Sequence, residues 1–324
     1  MSTVHTIRGP ISTSRIGRTL AHEHITAGSA GMERLPWVYD PEVAFKCNVE
    51  ALARAKAVGV DTIIDLTPLD LGRQVELLQR IADADLGIHI VAATGVYRWV
   101  PMYLRGIGPD DGAEHFLREL EDGIEGTTLK PGIIKLAWDV EYRLREGRPG
   151  LSPREILECM ARAVARAAKA SGTPISCHTL ATDEQGIPLL DIFEDEGLNL
   201  RAVTIGHSND TTNVQYLKEV VRRGATVGLD RFNANHSPAE RERRAQLAAT
   251  LARGGFADQV SLGHDAAPYK CVGRPQSDLD CWLPVPTVEV PLLSKLGVTD
   301  GMIDAMFTES VKATFEAAGS MAKR

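Results

Sequence analysis

The sequence predicts a single (β/α)8 (TIM) barrel over residues 1–324, and three observations support this prediction. Eight short apolar runs, rich in β-branched residues, alternate with longer segments of helical period. No linker rich in Pro, Gly or Ser divides the chain into two domains. No G-x-G-x-x-G motif follows the first run, as a doubly wound nucleotide-binding sheet would require. A minimal barrel needs ~250 residues, so the remaining residues are available for extended βα loops.

The eight predicted strands are apolar on both faces, which is typical of parallel strands buried between a core and helices. They are Arg18–His22, Thr62–Leu66, His89–Thr94, Gly132–Leu136, Pro174–His178, Ala202–Gly206, Thr226–Leu229 and Gln259–Gly263. Between the first two, Asp40 and Pro41 supply an N-cap and a first-turn proline for a helix over Val43–Val58. Ser152 and Pro153 begin another helix in the same way. Residues 1–17 predict a short N-terminal β-hairpin that closes the bottom of the barrel.

Composition excludes several classes of function. The chain is 44% hydrophobic and 24% charged, with a formal net charge of −7. Because no basic stripe is present, nucleic acid and anionic membrane surfaces are not expected partners. The N-terminus lacks the apolar run of a secretory signal, and no segment approaches the ~18–20 apolar residues of a membrane span. We therefore predict a cytoplasmic protein that acts on a small molecule.

Potential metal ligands lie at the ends of five predicted strands. The first strand runs into His22-Glu23-His24, and residues two apart in an extended chain point to the same side, so Glu23 turns away from the two imidazoles. Four other strand ends carry Lys135, His178, His207 and Asp265. A single histidine of this kind is more simply a core residue bonded to backbone. The set, however, would meet at the C-terminal mouth of the barrel, where barrel enzymes have their active sites.

Lys135 is the anomaly in this set. It lies in the strand segment GIIKLA, where a bare ammonium group would cost several kcal/mol to bury without a partner. A buried lysine in such a position requires an explanation.

The segments that carry these residues resemble the phosphotriesterase branch of the amidohydrolase superfamily over nearly the whole chain. They are His22-x-His24, Lys135 in GIIKLA, His178 in SCHT, His207 in IGHSND and Asp265 in GHD. The resemblance implies that Lys135 is an N6-carboxylysine bridging two divalent metal ions. It also implies that His22, His24 and Asp265 hold the more buried metal, and that His178 and His207 hold the more exposed one. These ligand types suit zinc, which we favour, and also cobalt, manganese or iron.

Two further segments resemble the phosphotriesterase-like lactonases. Tyr97 follows Thr94-Gly95 at a position where efficient phosphotriesterases carry tryptophan, and it is predicted either to pack or to orient a lactone and assist its leaving alkoxide. Arg231 follows Asp230 where the phosphotriesterase proton relay has histidine, and it is predicted to pair with a carboxylate near the mouth. Asp210 occupies either a relay-like position or the N-cap of a helix beginning near residue 211.

A long loop, 266–284, follows Asp265, and loops of this length in compact domains are usually functional. Tyr269 and Trp282 from this loop, together with Trp99 from another, are predicted to line an apolar channel for an acyl chain or to serve loop packing.

The sequence therefore predicts a binuclear metal-dependent hydrolase that opens lactones, N-acyl homoserine lactones and related γ- and δ-lactones among them, in the manner of quorum quenching. Weak phosphotriesterase activity on the same centre is expected. A metal-bridging hydroxide would attack the polarised carbonyl, and Asp265 would act as general base. The alternative is a dedicated organophosphate triesterase (aryldialkylphosphatase) or another amidohydrolase. A mononuclear deaminase would have no use for Lys135, and a non-catalytic barrel none for the ligand set. By analogy with relatives, we expect a homodimer.

Overall fold

Eight parallel strands follow one another in chain order around a nearly closed barrel, as predicted. The computed structural model describes residues 2–98, 100–139, 152–233 and 235–322. The barrel strands are β1 (Thr19–Glu23), β2 (Thr62–Asp65), β3 (His89–Val96), β4 (Ile133–Trp138), β5 (Ile175–Thr179), β6 (Val203–Ile205), β7 (Thr226–Leu229) and β8 (Val260–Leu262). All eight lie within a few residues of their predicted bounds.

The barrel closes between the ends of β8 and β1. The Asp265 N–H donates to His22 O at 3.0 Å, and the His24 N–H donates to Ala266 O at 2.9 Å. Gly263 permits this approach, because a Cβ at that position would lie 3.0 Å from the backbone N and O of His22. Three of the predicted metal ligands therefore lie on the seam that closes the barrel.

Ten helices of the described chain surround the strands and include both that were predicted from capping signals. They are α1 (Pro41–Ala57), α2 (Val75–Asp83), α3 (Pro109–Asp122), α4 (Pro153–Ser171), α5 (Gly186–Asp195), α6 (Val214–Arg222), α7 (Pro238–Leu251), α8 (Val290–Lys295), α9 (Asp300–Asp304) and α10 (Ser310–Met321). The Asp40 carboxylate accepts the N–H groups of Glu42 and Val43, and Ser152 caps α4. Within the part of the chain that the structure describes, no helix combines the length and apolar character needed to cross a membrane.

The N-terminal hairpin seals the bottom of the barrel, as predicted. Its strands, Thr3–Thr6 and Gly9–Ser12, pair antiparallel. The Ile7 N–H donates to Ile90 O at the start of β3. Val4 and Ile11 of the hairpin belong to the same buried apolar cluster as Ile64 and Val91 of the barrel. With the bottom filled by hydrocarbon, the polar strand ends lie at the opposite, open end.

The loop after β8 is more ordered than the sequence indicated. Tyr269–Lys270 forms a short strand that pairs parallel with Thr26–Ala27 and antiparallel with Gln276–Ser277. This small sheet ties the long loop to the loop that follows β1.

Candidate metal centre

All six predicted ligands come together at the mouth of the barrel. His22 Nε2 lies 3.1 Å from Lys135 Nζ, and His24 Nε2 lies 3.1 Å from Asp265 Oδ1. His178 Nδ1 and His207 Nε2 are 2.6 Å apart. The four histidines and Lys135 are almost completely buried, while the Asp265 side chain is 26% exposed. His22, His24 and Asp265 each offer a donor atom within 4.8 Å of the other two, so this group could hold a metal ion.

Three of the imidazoles are oriented by a partner on the nitrogen that faces away from the cluster. The carboxylate of Asp230 lies 2.6 Å from His22 Nδ1 through one oxygen and 2.9 Å from His207 Nδ1 through the other. His24 Nδ1 lies 2.9 Å from Thr67 Oγ1. Each ring therefore presents Nε2 to the cluster, which is the arrangement expected of metal-binding histidines.

His178 is oriented the other way round. Its Nε2 lies 3.5 Å from Asp139 Oδ2 and 3.3 Å from Arg98 Nη2, and Arg98 and Asp139 are themselves paired at 2.9 Å. His178 therefore presents Nδ1, next to His207 Nε2. Sequence reasoning named Asp230 only as the neighbour of Arg231 and did not predict that it orients two histidines. It missed Asp139 and Thr67 altogether, because neither belongs to a ligand motif.

The protonation states suit metal coordination, which requires neutral imidazole and ionised carboxylate. Burial, together with the charge of Lys135, lowers the pKa of His22 to about 3. Burial alone would raise the pKa of Asp265, but the neighbouring His207, His24 and His22 hold it well below its usual range. The donor set of four imidazoles and a carboxylate thus fits a divalent metal.

Lys135 contributes a completely buried amine to this cluster. Burial lowers the pKa of its ammonium group to about 8, although the charges of Asp265 and Asp230 partly oppose this effect. The anomaly seen in the sequence is therefore present in the fold: a lysine held among metal-binding groups with a weakened preference for its cationic form.

Two of the predicted ligands adopt a strained backbone conformation. His207 has φ +58° and Asp265 has φ +54°, which lie in the left-handed region that non-glycine residues rarely adopt. The Asp230 carboxylate accepts the backbone N–H of His207 at 2.8 Å and so holds this conformation. Strain of this kind is found where the surrounding structure fixes a functional group.

Arg231 lies between two carboxylates at the mouth, where the sequence predicted one. Its Nη2 is 3.5 Å from Asp265 Oδ2, and its Nε is 3.3 Å from Asp210 Oδ2. Asp210 also pairs with Arg244 and is not an N-cap, because Asn213 caps α6. Since arginine does not give up its proton in proteins, Arg231 cannot accept a proton from Asp265 and pass it to Asp210.

Tyr97 lies at the mouth beside the cluster. Its ring meets that of His178 edge to face, with centroids 5.3 Å apart, and its backbone N–H donates to Asp70. Burial raises the pKa of the Tyr97 phenol to about 12, so the hydroxyl keeps its proton at neutral pH.

The other aromatic residues predicted to line an acyl channel do not join this site. The Tyr269 hydroxyl accepts the Asp40 N–H at the start of α1, and Trp282 donates from Nε1 to Ala266 O. Tyr269 is 3% exposed and Trp282 1% exposed, so neither has surface left for an acyl chain to contact. The structure corrects these two assignments to packing, and Trp99 lies outside the described residues.

Comparison with known proteins agrees with this geometry. Residues 2–315 match the model of the phosphotriesterase family. The chain belongs to the phosphotriesterase family. A phosphotriesterase homology protein from Mycobacterium tuberculosis (strain CDC 1551 / Oshkosh) is 35% identical, covering 98% of this chain and 99% of its own length. An aryldialkylphosphatase from Saccharolobus solfataricus is 30% identical, with 94% and 96% covered.

A solved structure of the phosphotriesterase from Mycobacterium tuberculosis has the same fold. Its TM-score is 0.84 at 33% identity, covering 97% of this chain and 98% of that chain. Enzymes of the phosphotriesterase family are hydrolases of ester or phosphoester bonds, so the chain is a hydrolase.

Proposed function

We propose that this phosphotriesterase-family hydrolase opens lactones, N-acyl homoserine lactones and related γ- and δ-lactones, at a centre of two divalent metals, with zinc favoured. The observation that carries the proposal is the neutral phenol of Tyr97, whose ring lies beside that of His178 and whose hydroxyl keeps its proton. Opening a lactone expels an alkoxide, which needs a proton donor, whereas an aryl phosphotriester expels a stable phenoxide. A phenol at this position therefore favours the lactone.

Each residue of the candidate centre would have a defined role in this reaction. His22, His24, Lys135 and Asp265 would hold the more buried metal, and His178, His207 and Lys135 the more exposed one. Bound metals would polarise the carbonyl and make water nucleophilic at neutral pH. Asp265 Oδ1 faces His24, which leaves Oδ2, near Arg231, to take the proton of the attacking water. Tyr97 would orient the lactone and donate a hydrogen bond to the departing oxygen, which would take up the proton held by Asp265, so that the ring opens to an alcohol and a carboxylic acid.

We propose that Lys135 acts as an N6-carboxylysine. Its neutral Nζ would add to the carbon of CO2 and release one proton, giving a carbamate anion between the two metals. The proposal is supported by the burial of this lysine and by its 3.1 Å approach to His22 Nε2. Metal-free protein should then regain activity faster with metal plus bicarbonate than with metal in bicarbonate-free buffer. Equal recovery in the two buffers would contradict carboxylation.

The function is tested by comparing lactones of increasing acyl length with paraoxon, on protein of measured metal content. We expect kcat/KM for the best lactone to exceed that for paraoxon by at least about 100-fold, a difference of about 2.7 kcal/mol in activation free energy. Tyr97→Phe should lower lactone kcat by about 10-fold or more and leave paraoxon turnover nearly unchanged. The matched control is Tyr103→Phe, since Tyr103 is 55% exposed.

A dedicated organophosphate triesterase is the second candidate, favoured by the similarity to a protein named aryldialkylphosphatase. Paraoxon turnover above that of every lactone would establish it. Failure of the metal-loaded protein on both substrate classes would contradict both candidates.

We further propose that the protein is a homodimer, while its cytoplasmic location stays a prediction. Leu35, Trp37, Val43 and Val272 are large apolar residues at the surface, and Trp37 is 74% exposed. Sedimentation velocity should show a dimer for the wild type and a monomer for Trp37→Glu. A monomeric wild type would contradict the proposal.

A further inference from the structure

Glu23 lies between two metal ligands in the sequence but makes its contacts elsewhere. It turns away from the imidazoles, as predicted, yet its side chain is completely buried. Its Oε1 accepts His264 Nδ1–H at 2.6 Å and the His264 backbone N–H at 2.8 Å. Its Oε2 accepts the Ala266 backbone N–H at 3.4 Å. The two oxygens of one carboxylate thus hold the residues on both sides of Asp265.

Asp265 needs such support because its backbone is left-handed, with φ +54°. In this conformation the carboxylate Oδ1 lies 3.1 Å from His24 Nε2 while the Asp265 N–H donates to His22 O at 3.0 Å. His207, the other left-handed ligand, has both its backbone N–H and its ring held by the carboxylate of Asp230. Two buried carboxylates therefore each hold one strained ligand in place.

His264 extends this support to the end of the long loop. Its Nε2 accepts the Val285 backbone N–H at 2.9 Å, which places the ring proton on Nδ1, facing Glu23. A neutral His264 and a Glu23 that accepts three hydrogen bonds are mutually consistent, because an ionised carboxylate only accepts. The chain is thereby fixed on either side of Asp265 and again where the loop 266–284 ends.

We propose that Glu23 is a positioning residue that fixes Asp265 in its left-handed conformation and so sets the affinity of the more buried metal site. The inference rests on the binuclear centre of the proposed function. It assigns a role to a residue that would neither bind metal nor touch substrate.

The test is the metal affinity of Glu23→Gln, measured by titrating metal-free protein with Co²⁺ and by counting bound metal with mass spectrometry. The amide oxygen can still accept both bonds from His264, but the NH2 group that replaces Oε2 only donates, so it meets the Ala266 N–H donor to donor and leaves the residue after Asp265 without its bond. We expect affinity for one of the two metal equivalents to fall by about 10–100-fold, and affinity for the other to stay within about threefold of the wild type.

The matched control is Glu119→Gln, a largely buried carboxylate that pairs with Arg73 on the outer side of the barrel wall. It should lower the thermal midpoint and leave both metal affinities unchanged. A general loss of stability would instead lower the affinity for both metal equivalents, in Glu23→Gln and in Glu119→Gln alike. That result would overturn the inference. If Glu23→Gln does not fold, Glu23→Asp keeps the charge but shortens the reach, and it should show the same selective loss.

The outcome separates this inference from the proposed function. Normal lactone turnover with wild-type affinity for both metals in Glu23→Gln and Glu23→Asp would overturn the positioning role alone. A selective loss of one metal in Glu23→Gln, together with a metal-loaded wild type that turns over no lactone, would support the positioning role and contradict the proposed function.

Discussion

At the mouth of the barrel, each imidazole has one nitrogen toward the cluster and the other fixed by a neighbour. Asp230 does this for two rings at once, through its two oxygens. Ionised hydrogen-bond acceptors of this kind are strong, and in a water-poor site they hold a ring in one tautomer. The precision of the centre therefore depends on residues that would not bind metal themselves.

At the same scale, Asp265→Asn tests the assignment of the general base. The amide keeps the size of the side chain but cannot take a proton, so kcat on the best substrate should fall by about 10²–10⁴-fold. Circular dichroism should show a folded protein, and the assay is run with metal in excess, so that metal counting shows both sites filled despite the weaker amide ligand. Asp258→Asn, on an exposed carboxylate that pairs with Arg201, serves as the control and should keep wild-type kcat. A near wild-type rate in Asp265→Asn would remove Asp265 from the mechanism.

At the scale of elements, Gly95 of β3 has no room for a side chain beside the backbone of the neighbouring strand β4. Its φ is +116°, and a Cβ there would lie 1.9 Å from the backbone O of Lys135. The absence of a side chain at Gly95 thus lets β4 keep Lys135 at the level of the other ligands.

Gly95→Ala should therefore destabilise the protein by roughly 3 kcal/mol or more and displace Lys135 from the cluster. Urea unfolding and bound-metal content would measure the two effects. Gly87→Ala is the matched control, because Gly87 also has a left-handed φ (+66°) but open space where the Cβ would be. It should cost about 1 kcal/mol and keep its metal. Equal costs for the two variants would contradict the close-contact argument.

An ion pair joins the loop before α2 to helix α3. Arg73 bonds to Glu119 at 2.6 Å and to the Ala93 O of β3. Burial alone would raise the pKa of Glu119, but Arg73 and the Thr94 hydroxyl lower it overall. A carboxyl group with a lowered pKa in the folded state stabilises the protein above its ordinary pKa of 4.5, and this stabilisation is lost as the pH falls through the folded-state value.

The free energy of unfolding of the wild type should accordingly exceed that of Glu119→Gln at pH 7, and the difference should shrink as the pH falls below about 4.5. Urea unfolding of both proteins between pH 3 and pH 7 would measure this. A difference that is constant over that range would show that the charge of Glu119 contributes nothing.

On the scale of the whole molecule, the barrel is sealed with hydrocarbon at one end and gathers its ionisable groups at the other. The cluster joins β1, β4, β5, β6 and β8 or the residues just beyond them, so bound metal would link strands from all parts of the chain. A ligand that binds only the folded state raises its stability by mass action.

Removal of metal with a chelator should therefore lower the free energy of unfolding by about 4 kcal/mol if free metal was about 1,000 times its Kd, and lower Tm on the order of 10 °C. Differential scanning calorimetry with and without restored metal measures this. His178→Asn should lose much of the metal-dependent stabilisation. His115→Asn should retain it, because His115 packs against Tyr103 and Phe116 away from the cluster. A Tm that does not respond to metal would contradict a tightly bound centre.

Local pattern was sufficient for the strands and for the six predicted ligands. The strands are continuous apolar runs because both of their faces are buried, so their ends, and the polar residues there, can be located from the sequence. Lys135 stood out for the same reason: a charge within an apolar strand needs a partner or a modification.

Only the tertiary structure decided which residues hold those ligands and which aromatic residues face the mouth. Asp230 lies 208 residues from His22, and Glu23 lies 241 residues from His264, so no local pattern connects them. Tyr269 and Trp282 are aromatic residues of the kind that line substrate channels, but packing buries them. The sequence by itself thus determined the barrel and the positions of the candidate ligands at its strand ends, because both follow from the burial of each strand. The orientation and strain of those ligands, and the support from Glu23, depend on contacts that exist only after β8 meets β1.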